Sequence, residues 1–126
     1  MSLLNTINAA GLAAVHAAKS ETVRYTTETA EISELLAQPT KPVNHAEPTG
    51  RMIDCKELDW IVQVDELQLN EVPFLPTSGH HVVWTLGNQV RVYEVLERDR
   101  DQVFEYRDSG HTQFRIFTKL IELQDT

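Results

Sequence analysis

Apolar and polar positions follow two different periods along this chain, and the change falls near residue 20. Before it, apolar residues recur every three or four positions, which predicts an α-helix over residues 3–19 with Ser2 as its N-cap. After it, apolar and polar residues alternate in short runs rich in β-branched side chains, as half-buried strands require. The pattern therefore predicts one N-terminal helix followed by a mainly β fold.

The strand signals recur about every ten residues and are separated by turn residues. A strand over 22–27 leads through a tight turn near Glu28 into a weakly alternating run over 29–37, where a helical turn is the competing interpretation. Gly87-Asn88 joins two alternating runs and is the best hairpin signal of the chain. Further strands are predicted over 51–55, 60–64, 81–85, 90–96, 103–106 and 112–121. This spacing indicates a small antiparallel β-barrel or sandwich over residues 22–122.

Residues 38–50 show no periodicity and hold three of the five prolines, which predicts a long Pro-rich loop. Loops of about a dozen residues are uncommon in compact domains, and they are usually functional or disordered. The loop is thus either an interaction element or a mobile excursion. The predicted helix 3–19 carries only a thin apolar stripe, so we expect it to lean on the sheet or on a neighbouring subunit.

The size and composition of the chain limit its class. Its 126 residues suit a single domain, and 41% apolar with 24% charged residues is typical of folded proteins. Cys55 is the single cysteine, which excludes an intramolecular disulfide and a paired-cysteine zinc site, and predicts a reducing compartment. The N-terminus lacks the basic region of a secretion signal, and no run of about 18–20 apolar residues predicts a membrane span. We therefore expect an intracellular protein or a component of an assembly.

The charge is unevenly distributed. The formal net charge is -8, of which -7 falls within residues 28–71. Such an excess argues against DNA or RNA as a tightly held ligand, because that binding depends on Lys and Arg displacing counterions. The acidity marks either one surface of the fold or a generic solvated exterior.

No catalytic or metal-binding pattern stands out in the sequence. His80 and His81 are neighbours in a predicted strand and point to opposite faces, so they cannot chelate one metal together. Asp65 and Glu66 diverge for the same reason, and no glycine-rich phosphate loop is present. We predict a protein that is not an enzyme and has neither cofactor nor metal. The aromatic residues at strand spacing are interpreted mostly as barrel core; they are Trp60, Trp84, Phe104, Tyr106, Phe114 and Phe117.

The order of three segments resembles a known family. Asp59-Trp-Ile-Val-Gln-Val-Asp-Glu-Leu67 is followed by Pro76-Thr-Ser-Gly79, and the chain closes with Tyr106-Arg-Asp-Ser-Gly-His-Thr-Gln-Phe-Arg-Ile-Phe-Thr-Lys119. Over residues 3–120 this resembles the head-tail joining proteins of tailed phages, the head-closure or stopper group. His80 stands where that family's turn places an aspartate, and Phe117 where its closing pattern places a histidine.

The resemblance implies a structural role in the virion neck, after synthesis in the host cytoplasm. It implies a ring of six or twelve copies that closes the DNA exit channel of the filled capsid and docks the tail. The implied partners are a portal or adaptor protein, a tail terminator or tail tube protein, and double-stranded DNA in transient passage. Another neck or tail component, such as a terminator or adaptor, and a non-viral β-barrel binding module are the alternatives.

Within this interpretation, part of the acidic segment 28–71 is expected to face the channel or an axial partner, where carboxylates would repel passing phosphates. Contact with a neighbouring subunit is the competing expectation for the loop 38–50. The candidate interface or channel-facing residues are Lys41, Val43, His45, Glu47, Arg51, Glu57, Asp59, Arg98 and Arg100.

Overall fold

A computed structural model describes residues 20–41, 56–98 and 102–125. In these ranges the regular structure consists of β-strands and one turn of 3-10 helix, Val64–Glu66. The strands are β1 (Glu21–Thr26), β2 (Glu31–Thr40), β3 (Glu57–Gln63), β4 (Gln68–Leu69), β5 (Val72–Pro73), β6 (His81–Leu86), β7 (Gln89–Val95), β8 (Phe104–Tyr106) and β9 (Gln113–Asp125). The predicted helix 3–19 and the predicted strand 51–55 lie outside the described residues, as do positions 42–50 of the long loop.

Six antiparallel strands close into a barrel in the order β3-β2-β1-β6-β7-β9, because β9 pairs back onto β3. β8 pairs with β9 beside this ring, and β4 and β5 form a separate two-stranded hairpin. Closure satisfies the backbone groups that an open sheet would leave at its two edges. The predicted mainly β fold and its barrel form are thereby confirmed.

The long strand β9 pairs with β3 on one side and with β8 and then β7 on the other. Its first half pairs with β3 from Gln63↔Gln113 to Glu57↔Lys119, and its second half pairs with β7 as far as Gln89↔Asp125. A bulge opposite Val92 and Tyr93 interrupts the second ladder. Because the two ladders are staggered, the end of β7 meets the start of β3 across β9, which is where the candidate site lies.

The barrel interior is filled around Trp60. Its ring meets Trp84 edge-on at 5.3 Å and Tyr93 at 5.6 Å between centroids. Its Nε1 donates to the hydroxyl of Thr118 at 3.1 Å, and that hydroxyl donates to the Leu58 carbonyl at 2.8 Å. The one polar atom of the central indole is thus satisfied inside the core, as burial requires.

The aromatic residues divide between the core and the surface. Trp60, Trp84 and Phe114 are buried as predicted, whereas Tyr106 is 39% exposed because β8 lies outside the closed ring. Tyr25 and Tyr93 are fully buried as well, although neither was among the predicted core aromatics.

Two predicted hairpins are confirmed. β1 and β2 meet through the turn at Thr27–Ala30, closed by a 2.8 Å backbone hydrogen bond between those two residues. This excludes the competing helical turn over 29–37. β6 and β7 meet through Gly87-Asn88, where Gly87 has a φ of +57°, a conformation that glycine adopts without a Cβ penalty.

The start of the predicted loop 38–50 is corrected by the structure. β2 continues through Thr40, and its last residues pair with β3, including Pro39↔Trp60 and Thr40↔Asp59. β2 pairs with β1 only as far as Ala37, so Pro39 has β3 on one side and no pairing with β1 on the other. Proline has no N–H to donate, and it is tolerated in a strand where one side is unpaired in this way.

One end of the barrel is strongly acidic. Antiparallel pairing places four segments at this end: the turn and strand start over 27–31, the connection over 64–80, residues 96–98 after β7, and the turn over 107–112. These segments, called the acidic end below, hold seven carboxylates and two arginines. Part of the excess negative charge of the segment 28–71 is therefore concentrated at one end of the fold.

Candidate functional site

A buried carboxylate lies at the centre of the candidate site. Asp59 is on the outer face of β3 and is 1% exposed. Its Oδ2 accepts a hydrogen bond from Arg115 Nε at 2.7 Å, and its Oδ1 accepts one from Arg98 Nη1. Both carboxylate oxygens thus face a guanidinium, which offsets the cost of removing the charge from water.

Arg98 attaches the chain that leaves β7 to this carboxylate. Its Nη2 also donates to the Thr118 carbonyl at 3.1 Å, and its Nε lies 3.5 Å from Oε2 of Glu57. The guanidinium carbon sits 5.1 Å from the centre of the Phe117 ring, a cation–π distance. Four separate contacts therefore hold this residue, the last one described before position 102, against β3 and β9.

Arg115 attaches the end of β2 to the same carboxylate. While Nε binds Asp59, Nη2 donates to the carbonyl of Lys41 at 3.0 Å. Lys41 is the last described residue before position 56, so this bond fixes the point at which the chain leaves the barrel. One buried carboxylate thus anchors two connections, through Arg98 and through Arg115; we call these three residues the Asp59 network.

Four predicted candidate residues meet at this network. They are Lys41, Glu57, Asp59 and Arg98. The other five candidates, Val43, His45, Glu47, Arg51 and Arg100, lie outside the described residues. Arg115 was missed by the sequence analysis. The sequence feature that could have indicated it is a charged residue on the outer face of a long alternating strand. In the structure this position pairs with Ile61 of β3.

A second polar arrangement lies at the acidic end. The hydroxyl of buried Tyr25 is 2.8 Å from Nδ1 of His80, and the Phe74 ring packs against both side chains. Burial raises the pKa of Tyr25 against the opposing effect of a backbone hydrogen bond with Thr77. Burial also lowers the pKa of His80, although Glu28 opposes the shift. At neutral pH the hydroxyl is therefore protonated and the imidazole neutral, and one hydrogen bond joins the two groups.

The turn between β8 and β9 is closed by Asp108. Its Oδ1 accepts from the backbone N–H groups of Thr112 and Gln113 at 2.9 and 3.0 Å, and its Oδ2 accepts from the Thr112 hydroxyl at 2.7 Å. Burial raises the pKa of Asp108, but these hydrogen bonds outweigh it and leave the pKa below its ordinary value. The carboxylate thus has a structural task in the turn.

Among residues 20–41, 56–98 and 102–125, no group of three or more His, Cys, Asp or Glu side chains is placed to hold a metal ion. In the same ranges, no helix has the length and apolar character that crossing a membrane needs.

The fold and the site define a class: a small closed β-barrel whose buried charges tether the connections between its strands. The chain belongs to the phage head-tail joining protein family, whose model matches residues 1–125. A search of curated proteins finds no match. Membership confirms the resemblance drawn from the sequence. It identifies a structural phage protein, a head-tail connector of the virion neck that contacts capsid and tail components, and it indicates a structural role rather than an enzymatic one.

Proposed function

We propose that this protein is a stopper-type neck protein. In this proposal several copies, six or twelve, form a ring on the capsid side of the tail, close the DNA exit channel and offer the tail its docking surface. The observation that carries the proposal is the Asp59 network, in which one buried carboxylate anchors two connections to a closed barrel. A closed barrel has few free strand edges, so its contacts with neighbours must come chiefly from its connections.

The two anchored connections are proposed to carry those contacts. Residues 42–55 follow Lys41, and residues 99–101 follow Arg98. They include the candidates Val43, His45, Glu47, Arg51 and Arg100. Anchoring at the base lowers the conformational entropy that an exposed connection loses when it binds a partner, which favours its use as a contact element. The predicted helix 3–19 is proposed to pack on a neighbouring subunit.

The charge of the chain supports passage of DNA without retention. The net charge of -8 and the acidic end both oppose tight binding of phosphates. Repulsion between a carboxylate and a phosphate acts over about 8–10 Å at cellular ionic strength, which is the range that matters inside a narrow channel. We propose that the acidic residues of the segment 28–71 face this channel or an axial partner.

The partners proposed for the ring are a portal or adaptor protein on the capsid side and a tail terminator or tail tube protein on the tail side. Electron microscopy of purified necks tests the class directly. The expected result is a ring of this chain between portal and tail. A mainly helical ring between portal and tail would instead favour the adaptor alternative. A monomeric chain that is absent from virions would favour the non-viral binding module.

A complementation assay tests the closing step. Phage that lack this chain should produce filled heads that lose DNA and fail to join tails, and purified chain added to fresh heads should restore both properties. Glu122→Gln, at an exposed position near the end of β9, serves as the control variant, since its cross-strand partner is Val92 and not a member of the Asp59 network. Heads that retain DNA and join tails without the chain would contradict the proposal.

A further inference from the structure

The connection between β3 and β6 carries an exposed apolar pair at the acidic end. Val72 is 64% and Leu75 is 54% exposed, the highest values among the large apolar side chains of the described residues. Single exposed apolar residues are ordinary, but here the two most exposed ones lie three positions apart on one connection. We call residues 65–75 the hairpin tip.

The hairpin tip is held in one shape from its base to its turn. Asn70 and Glu71 have φ values of +53° and +66°, which closes β4 onto β5 in a tight turn. The N–H of Phe74 donates to the Leu67 carbonyl at 3.2 Å, and Leu67 is buried in the core. The exposed pair is therefore presented by a rigid support, which reduces the entropy lost on binding.

The surroundings of the pair are acidic. Asp65, Glu66 and Glu71 are all exposed on the hairpin tip. The sequence has no lysine or arginine from residue 57 to residue 90. A complementary surface must therefore pair an apolar recess with Lys or Arg side chains on its rim.

We infer that the hairpin tip is a docking element for a different protein of the neck, one that carries an apolar recess rimmed by basic residues. This inference rests on the proposed function and adds the chemistry of one partner. A second copy presenting the same tip is disfavoured by like charge, and DNA is disfavoured for the same reason. Val72 and Leu75 fill the recess, while the carboxylates of the hairpin tip select the partner and set its orientation.

The test uses the full chain with the capsid-side and tail-side neck proteins of the same phage, each purified. Val72→Ser with Leu75→Ser should weaken binding to one of these proteins by about tenfold or more, since buried apolar anchors dominate such interfaces. Ile121→Ser with Leu123→Ser is the matched control, because these β9 residues are 47% and 49% exposed and lie away from the hairpin tip. The control should leave the same affinity unchanged.

The charge of the recess rim is tested separately. Glu71→Gln should weaken the same interaction and reduce its dependence on salt, whereas Glu122→Gln, at an exposed position of β9 away from the hairpin tip, should do neither. Unchanged affinity in the tip variants, or equal loss in the control, overturns the inference, as does a tip variant that alters only self-association. If the wild-type chain binds neither neighbour and joins no heads to tails, the proposed function fails instead.

Discussion

Arg115 and Asp59 join β9 to β3 through a hydrogen bond of 2.7 Å between Nε and Oδ2. The two residues lie 56 positions apart in the chain and meet because antiparallel pairing sets Asp59 opposite Phe117 and Ile61 opposite Arg115. With Arg98 on the other oxygen, the carboxylate holds two connections of the barrel at once. The stability of the barrel and the order of those connections should therefore depend on this side chain.

Asp59→Asn should lower the free energy of unfolding by about 3 kcal/mol, because removal of one member of a buried ion pair leaves its partners uncompensated. Arg115 and Arg98 both lose the negative charge of Asp59 in this variant, although Glu57 still lies 3.5 Å from Arg98. Urea unfolding at neutral pH measures the change. Asp65→Asn, at an exposed position, is the control and should stay within about 0.5 kcal/mol of the wild type. An Asp59→Asn protein as stable as the wild type would contradict the role assigned to the network.

Arginine-to-lysine substitutions should separate the two anchored connections. Lysine keeps the charge but cannot span two acceptors as the planar guanidinium does. Arg98→Lys should therefore raise amide hydrogen exchange over residues 96–98, and Arg115→Lys should raise it over residues 38–41. Each variant is the control for the other. Equal increases in both segments would indicate general destabilisation and contradict separate anchoring.

Thr118→Val should cost about 2 kcal/mol of stability, although it barely changes the volume of the side chain. The hydroxyl accepts from Trp60 Nε1 and donates to the Leu58 carbonyl, so its loss removes two buried hydrogen bonds and takes away the acceptor of Nε1. Thermal or urea unfolding gives the value. Thr85→Val on the exposed side of β6 is the matched control and should have little effect. Equal effects at the two positions would refute the buried hydrogen-bond relay.

Local patterns were sufficient to predict much of the barrel. The β6–β7 hairpin follows from alternation on either side of Gly87-Asn88, and β1 and β2 follow from similar signals around Glu28. The end of β2 was placed too early because Pro39 was interpreted as a loop residue, although pairing with Trp60 retains it in the strand. A proline in the sequence suggests that a strand ends, but the actual end depends on how far the neighbouring strand, here β3, continues to pair with it.

The candidate site was only partly predictable, because its members are distant in sequence. Asp59 and Arg98 were predicted separately as candidate interface or channel-facing residues, and only the closure of β9 onto β3 makes them partners. Burial of Asp59 on the outer face of a strand has no signal in alternation, which assigns outer positions to solvent. The burial of Asp59 depends on Arg98, which also contacts Thr118 and Phe117 of β9.

The contact between Tyr25 and His80 should make stability depend on pH. The pKa of His80 in the folded chain lies below its ordinary value of 6.5, first because of burial and despite the nearby Glu28; His81 adds to the lowering. Between the lowered pKa and 6.5 the unfolded chain binds a proton that the folded chain does not. Stability should therefore fall as the pH drops through this window and level off below the folded pKa.

His80→Gln should remove this contribution, since glutamine does not titrate. Urea unfolding between about pH 7.5 and about pH 5 should then show a shallower loss of stability than in the wild type. His81→Gln is the matched control: its Nε2 lies 3.9 Å from Glu94 and makes no contact with the Tyr25 hydroxyl among the described interactions. That variant should keep most of the slope that His80 supplies, because burial, and not His81, is the main cause of the lowered pKa. A His80→Gln protein with the full wild-type slope would show that the neutral imidazole facing Tyr25 is not the group that titrates.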